Sequence, residues 1–201
     1  MKASYEQVEV GSPAEWREWL RENHTRTTGI WLVTHKKRNA EKHVPHEAIV
    51  EEALAYGWVD SRPRSLDERR SQLLLTPRKP GSNWSRKNKQ RIQKLLAEDR
   101  MTPAGLAVVE AAKADGSWSR LDAVENLLEP VELQRALDRS AAARANWDAF
   151  PRSTRRAILE WIGNAKRADT REKRIAETAR LAAENIRANQ WRQPGAGSVR
   201  R

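Results

Sequence analysis

The segment from Gly57 to Asn88 concentrates side chains that can bind a charged or flat ligand. Guanidinium and ammonium groups bind carboxylates and phosphates through charge-assisted hydrogen bonds, and hydroxyl and amide groups add polar contacts. A predicted helix begins near Trp84, and the unpaired backbone N–H groups at a helix N-terminus favour a bound anion. We therefore predict an anion-binding site formed by Asp60, Arg62, Arg78, Lys79, Ser82, Trp84, Ser85 and Asn88.

Several of these residues also have purely structural explanations. The arginines that follow Asp60 would hold its carboxylate ionised, as they would in an ion pair that only supports the fold. Ser82 or Asn83 is predicted to cap the helix that begins near Trp84. Trp84 itself either stacks on a flat ligand or fills the core. The sequence leaves these alternatives open.

No residue pattern indicates catalysis or a bound metal. The chain has no cysteine, so disulfides and thiol chemistry are excluded. His24 and His35 have no nucleophile in a recognisable turn beside them. His43 and His46 lie three positions apart with a proline between them, which is a poor spacing for two metal ligands. We predict no catalytic residue, no metal and no cofactor, and an enzyme on a small anionic substrate is the alternative.

The charge of the chain is unevenly distributed. Lysine and arginine total 38 against 27 acidic residues, a formal net charge of +11. The stretch from Arg62 to Lys94 alone carries eleven basic residues against Asp67 and Glu68. Such a segment favours phosphate-rich partners, so a nucleic-acid-binding protein is a second alternative. Solubility explains the same excess without any partner.

Hydrophobic periodicity predicts an α+β fold with a small sheet flanked by helices and an all-helical C-terminal half. Ser12, Pro13 and Glu15 form a capping pattern at the start of a helix, and Gly57 is predicted to close another. The predicted strands are Gly29–His35, Trp58–Ser61 and Ser71–Thr76, with a turn or an edge at Arg62–Asp67. The predicted helices are Pro13–Asn23, Pro45–Tyr56, Trp84–Asp99, Pro103–Gly116, one from Pro130, Ala141–Phe150, Ser153–Lys166 and Thr170–Ala188.

The composition also suggests domains and a location. We predict an α+β domain at 1–128, a helical domain at 129–192 and a mobile tail at 193–201, since the tail has no periodicity. The N-terminus has no apolar signal core, and no run approaches the roughly 20 apolar residues of a membrane span. We therefore expect no transmembrane segment and a cytoplasmic location.

Several short motifs follow one another along the chain. They are Gly57-Trp58-Val59-Asp60, Thr76-Pro77-Arg78, Trp84-Ser85 with Asn88, Arg100-Met101-Thr102-Pro103-Ala104-Gly105, and Ala165-Lys166 with Thr170-Arg171. Together they resemble the YdeI/OmpD-associated family of bacterial proteins. The resemblance implies a non-enzymatic stress or defence protein tied to protection against bacteriocins or cationic antimicrobial peptides. It implies no catalytic residues, and its partner is an unknown small anion or protein.

Overall fold

A computed structural model describes residues 5–191 and 193. Its strands are β1 (Glu6–Glu9), β2 (Ile30–His35), β3 (Trp58–Ser65) and β4 (Arg70–Pro77). Its helices are α1 (Pro13–Asn23), α2 (His46–Ala55), α3 (Arg86–Ala97), α4 (Pro103–Ala114), α5 (Asp122–Glu125), α6 (Val131–Asp138), α7 (Ala141–Ala149), α8 (Arg152–Gly163) and α9 (Ala168–Ala183). All four strands lie in the first part of the chain, and helices follow. The predicted α+β class is confirmed.

The four strands form one sheet in the order β1-β2-β4-β3. β1 pairs with β2 in parallel, whereas β2–β4 and β3–β4 are antiparallel. The sequence prediction missed β1, because this strand has four residues and Val8 is its single apolar side chain. Pairing with β2, in the register of Val8 with Leu32, makes it a strand.

β3 is longer than predicted. The strand continues through Arg62 and Pro63 to Ser65, so the prediction of a turn is wrong and the prediction of an edge is confirmed. Proline lacks a backbone N–H and is tolerated at the edge of a sheet. The register with β4 shifts between Asp60 and Pro63, as in a β-bulge.

The chain divides into two compact units, with the division between Arg120 and Leu121. In the first unit, Ile30 and Leu32 of β2 share a core cluster with Trp16 of α1 and Ile49 of α2. The buried Trp16 donates its indole N–H to the carbonyl of Ile49 at 3.1 Å. The predicted cap of α1 is confirmed, because the Ser12 hydroxyl accepts the backbone N–H of residue 15 at 3.2 Å.

The second unit has its own core around Trp147, which is fully buried and donates its indole N–H to Glu129 at 2.6 Å. Leu121 and Val124 belong to this core, so the unit begins before the predicted boundary at residue 129. α9 ends before the predicted Ala188. Apart from residue 193, the predicted tail at 193–201 lies outside the described residues.

Candidate functional site

Half of the predicted site residues line one small cavity in the first unit. Arg78, Lys79, Ser82 and Trp84 surround a space of about 60 Å³. The rest of its wall consists of Pro80, Gly81, Val108, Ala111, Ala112, Asp115 and Ser117. The cavity therefore combines a cationic group with a largely apolar wall.

Arg78 is the central charged group of this cavity. It follows the end of β4, where its backbone N–H donates to the carbonyl of Gly57 at 2.9 Å. The residue is only 8% exposed, and its guanidinium lies 3.6 Å from the ring centre of Trp84. Burial lowers the pKa of Arg78 to about 10, and the charge of Asp60 opposes that shift. Arg78 therefore remains charged at neutral pH.

The hydrogen bonding of the Arg78 guanidinium is incomplete. Its Nη2 donates to the carbonyl of Asn83. Within the described part of the chain, Nε and Nη1 are buried and have no hydrogen-bond partner. Unsatisfied buried donors are rare in native proteins and carry a substantial desolvation cost, which is larger for charged groups. This pair of donors is the strongest chemical signal of the cavity.

The loop at Lys79–Asn83 lines the cavity and accepts a hydrogen bond from Arg78 through the carbonyl of Asn83. The backbone N–H of Gly81 donates to Asp115 at 3.0 Å, and Arg120 donates to the carbonyl of Gly81 at 2.8 Å. Gly81 has a φ of +71°, a left-handed conformation that glycine adopts without strain. Hydrogen bonds from Ser117 lower the pKa of Asp115, so the carboxylate that anchors the loop stays ionised.

Trp84 is a core residue. It is 2% exposed, its ring is covered by Arg78, and Trp118 lies 4.9 Å away between ring centres. The indole therefore has no open face on which a base could stack. Of the two alternatives in the sequence, the structure favours packing in the core.

The other four predicted residues lie outside the described lining of this cavity. Asp60, on β3, faces His46 with 3.6 Å between Oδ2 and Nε2. Arg62 is exposed on the edge strand. Ser85 and Asn88 lie at the start of α3. The structure thus brings together only part of the predicted site.

The predicted cap of α3 is wrong. The helix begins at Arg86, and Ser85 is its N-cap, accepting the backbone N–H of Asn88 at 3.3 Å. Ser82 instead donates its hydroxyl to the carbonyl of Lys79 at 2.6 Å, within the loop at Lys79–Asn83. The sequence offered several polar residues before the helix, and only the exact helix start decides which of them caps it.

Glutamates of α2 neutralise much of the basic surface of α3. Arg91 forms a bidentate pair with Glu47, with distances of 2.7 and 2.8 Å. Lys94 contacts Glu51 at 2.5 Å. Arg91 is the main reason that the pKa of Glu47 falls to about 2. The basic segment is therefore partly an internal ion-pair network, which reduces the charge left for a nucleic acid.

The same network contains two buried carboxylates that the sequence analysis missed. Glu51 and Glu52 are 5% and 6% exposed, and Arg100 bonds both, at 3.1 and 2.7 Å. Arg17 adds a second partner for Glu52 at 2.6 Å. Arg17 lies on α1 and Arg100 lies between α3 and α4, far from α2 in the sequence, so sequence spacing contains no signal for the pairs.

Two further observations concern metal ligands and membrane-spanning helices, neither of which the sequence predicts. Across residues 5–191 and 193, no group of three or more histidine, cysteine, aspartate or glutamate side chains could hold a metal ion. No helix in the same residues has the length and apolar character required to cross a membrane.

Two known protein families match different parts of the chain. Residues 8–108, half of the chain, match the family described as Domain of unknown function (DUF8412). Residues 126–185 match the family described as Bacteriocin-protection, YdeI or OmpD-Associated (OmdA). The predicted family is thereby confirmed for part of the second unit, whereas most of the motifs quoted for it lie in the first. No curated protein and no solved structure matches the chain.

Proposed function

We propose that this protein has a non-enzymatic stress or defence role, which depends on binding an anionic group at the Arg78 cavity. The chain belongs to the DUF8412 family, and residues 126–185 match the bacteriocin-protection family. The anionic group belongs to a small molecule or to a protein partner. The observation that carries the proposal is the buried guanidinium of Arg78, which has two donors without a partner in the described chain. The cytoplasmic location is part of the same proposal.

The packing of Arg78 offsets only part of the cost of its burial. Stacking on Trp84 contributes about 2 kcal/mol when the cation is desolvated. Asp60 acts on Arg78 through its charge, and no hydrogen bond between the two side chains occurs among the described residues. A buried charge is normally both paired and hydrogen-bonded. An anion in the cavity would supply the missing hydrogen-bond acceptor and a negative charge in direct contact with the guanidinium.

The two donors are buried, so a ligand reaches them only if a neighbouring segment moves. We assign this movement to the loop at Lys79–Asn83. Its bonds to Asp115 and Arg120 lie on exposed residues, where water competes for the same groups. A hydrogen bond of this kind contributes about 1 kcal/mol net. The bond from Arg78 to Asn83 would be exchanged for a bond to the ligand. The loop can therefore open at a cost that a charge-assisted contact to the buried guanidinium offsets.

A titration with simple anions tests the proposal. Sodium acetate, phosphate and sulfate are added at constant ionic strength while the tryptophan fluorescence is recorded, because Trp84 is stacked on Arg78. We expect a saturable change with at least one anion. Replacing Arg78 with methionine should abolish it, whereas Arg62→Ala, an exposed cation outside the cavity, should leave it intact. Circular dichroism confirms that each variant is folded. The proposal is wrong if no anion gives a saturable change that depends on Arg78.

The two alternative functions stay predictions. For nucleic acid, anisotropy of labelled RNA and DNA at roughly 50 and 200 mM salt would reveal micromolar binding that weakens steeply with salt. For an enzyme on a small anionic substrate, Asp60→Asn should abolish turnover and leave folding intact. The pairing of α3 with α2 argues against the first alternative.

A further inference from the structure

We propose that the Arg78 cavity selects the carboxylate of a small apolar monocarboxylic acid over phosphate and sulfate. This inference rests on the proposed function, since it names the class of anion that the same site binds. It follows from the size of the cavity, from its charge and from the composition of its wall.

While the loop at Lys79–Asn83 is closed, the cavity holds only a few heavy atoms. A space of about 60 Å³ has room for a few water molecules, because about 10 to 15 Å³ on this measure holds one. A carboxylate with one or two attached carbons occupies a space of this order. A larger molecule can place only its end group there, with the remainder outside the loop at Lys79–Asn83.

The charge balance favours a monoanion. Arg78 is the buried cation of the cavity, and the exposed Lys79 lies at its edge. The ionised Asp115 also lines the cavity and adds one negative charge. Inorganic phosphate is a mixture of monoanion and dianion near neutral pH, and sulfate carries two charges. A dianion would place more negative charge beside Asp115 than a carboxylate does, and like charges repel each other. A carboxylate brings one charge, which the buried guanidinium balances.

The geometry around Arg78 fixes the direction from which an anion approaches. Trp84 covers one face of the guanidinium at 3.6 Å from the ring centre, so a ligand approaches the edges where Nε and Nη1 lie. In-plane approach to these donors suits a carboxylate, and a phosphate oxygen can accept from a guanidinium in the same way. The choice between the two anions therefore depends on the charge and the wall of the cavity.

The wall of the cavity favours an attached hydrocarbon. Val108, Ala111, Ala112 and Pro80 line the space beside Trp84. These side chains offer no hydrogen bonds to the outer oxygens of a phosphate or sulfate. They can cover a short aliphatic chain, and each buried methylene strengthens binding by about fourfold.

The test compares carboxylates of increasing length with inorganic oxyanions. Acetate and propionate are titrated against phosphate, sulfate and chloride at constant ionic strength, with tryptophan fluorescence and isothermal titration calorimetry as readouts. We expect propionate to bind about fourfold more tightly than acetate. Both should lose at least tenfold in affinity in Arg78→Met, and phosphate and sulfate should not compete.

A variant of the wall separates the apolar contribution from the charge. Val108→Thr replaces one methyl group of the wall with a hydroxyl at nearly the same shape, so it should lower the ratio of the propionate affinity to the acetate affinity. Equal affinity for acetate and propionate in the unmodified protein would contradict the role assigned to the wall.

The outcomes distinguish this inference from the proposed function. If phosphate or sulfate binds in a manner that depends on Arg78 and the carboxylates do not, the choice of carboxylate is wrong and the anion site stands. If none of the probes binds in a manner that depends on Arg78, both proposals fail.

Discussion

Replacing Gly105 with alanine should destabilise the first unit, because the site has no room for a methyl group. Gly105 lies in the first turn of α4, where this helix packs against the end of α2. A Cβ at this position would lie 2.2 Å from the carbonyl oxygen of Ala55 and 2.9 Å from that of Leu54. Both atoms are backbone atoms and cannot rotate away. The start of α4 must therefore move.

The expected cost can be estimated from the contacts that would shift. Overpacking of this kind costs about 1 to 3 kcal/mol. The Thr102 hydroxyl and backbone N–H both donate to the carbonyl of Ala55, at 2.6 and 3.2 Å. Weakening these bonds costs about 1 kcal/mol each. The higher helix propensity of alanine returns about 1 kcal/mol. We expect a net loss of about 2 to 4 kcal/mol in the free energy of unfolding.

Urea unfolding followed by circular dichroism and tryptophan fluorescence measures this loss. Gly163→Ala is the control, because Gly163 lies at the end of α8 and a Cβ there meets no atom of the described residues within 4 Å. It should change the stability by less than about 1 kcal/mol, in the stabilising direction. If Gly105→Ala unfolds at the same urea concentration as the unmodified protein, the packing argument is refuted. A loss would identify Thr102 to Gly105 as a packing motif.

Two further predictions concern α3 and its partners. Because Arg91 lowers the pKa of Glu47 from 4.5 to about 2, the pair stabilises the fold above pH 4.5 and this contribution is lost as the pH falls toward 2. Urea unfolding at pH 7, 4 and 2.5 should show the decline, and Glu47→Gln should make it smaller; an equal decline in the variant would assign the effect to other groups. Ser85→Ala should lower the free energy of unfolding by about 1 kcal/mol, because the helix loses its cap. Ser82→Ala should lower it by less than about 0.5 kcal/mol. A larger loss for Ser82→Ala than for Ser85→Ala in thermal unfolding would contradict the assignment of the cap.

Local chemistry accounts for the elements that were predicted correctly. Ser12 and Pro13 begin α1 because the capping hydroxyl and the fixed φ of proline act within a few residues. Gly57 closes α2 with a φ of +78°, as predicted from its position after the helix. β1 was missed because its residues lack a strand pattern, and only the neighbouring strand gives its backbone groups their partners.

The candidate site also contains residues that could be predicted from the sequence and one that could not. Arg78, Lys79, Ser82 and Trp84 are close in sequence, so their common location could be predicted from the chain alone. Asp115 reaches the same cavity from the loop after α4, a position that sequence spacing does not reveal.

The sequence by itself determined the fold class, most helix starts, the family of the helical segment and the presence of many cations between Arg62 and Lys94. The tertiary structure decided what those cations do. Arg91 and Lys94 are paired with glutamates of α2, whereas Arg78 is buried with two donors unsatisfied among the described residues. The physical reason is that helix starts and strand patterns depend on neighbours in the chain. Burial and ion pairing depend on residues that folding brings together from distant positions.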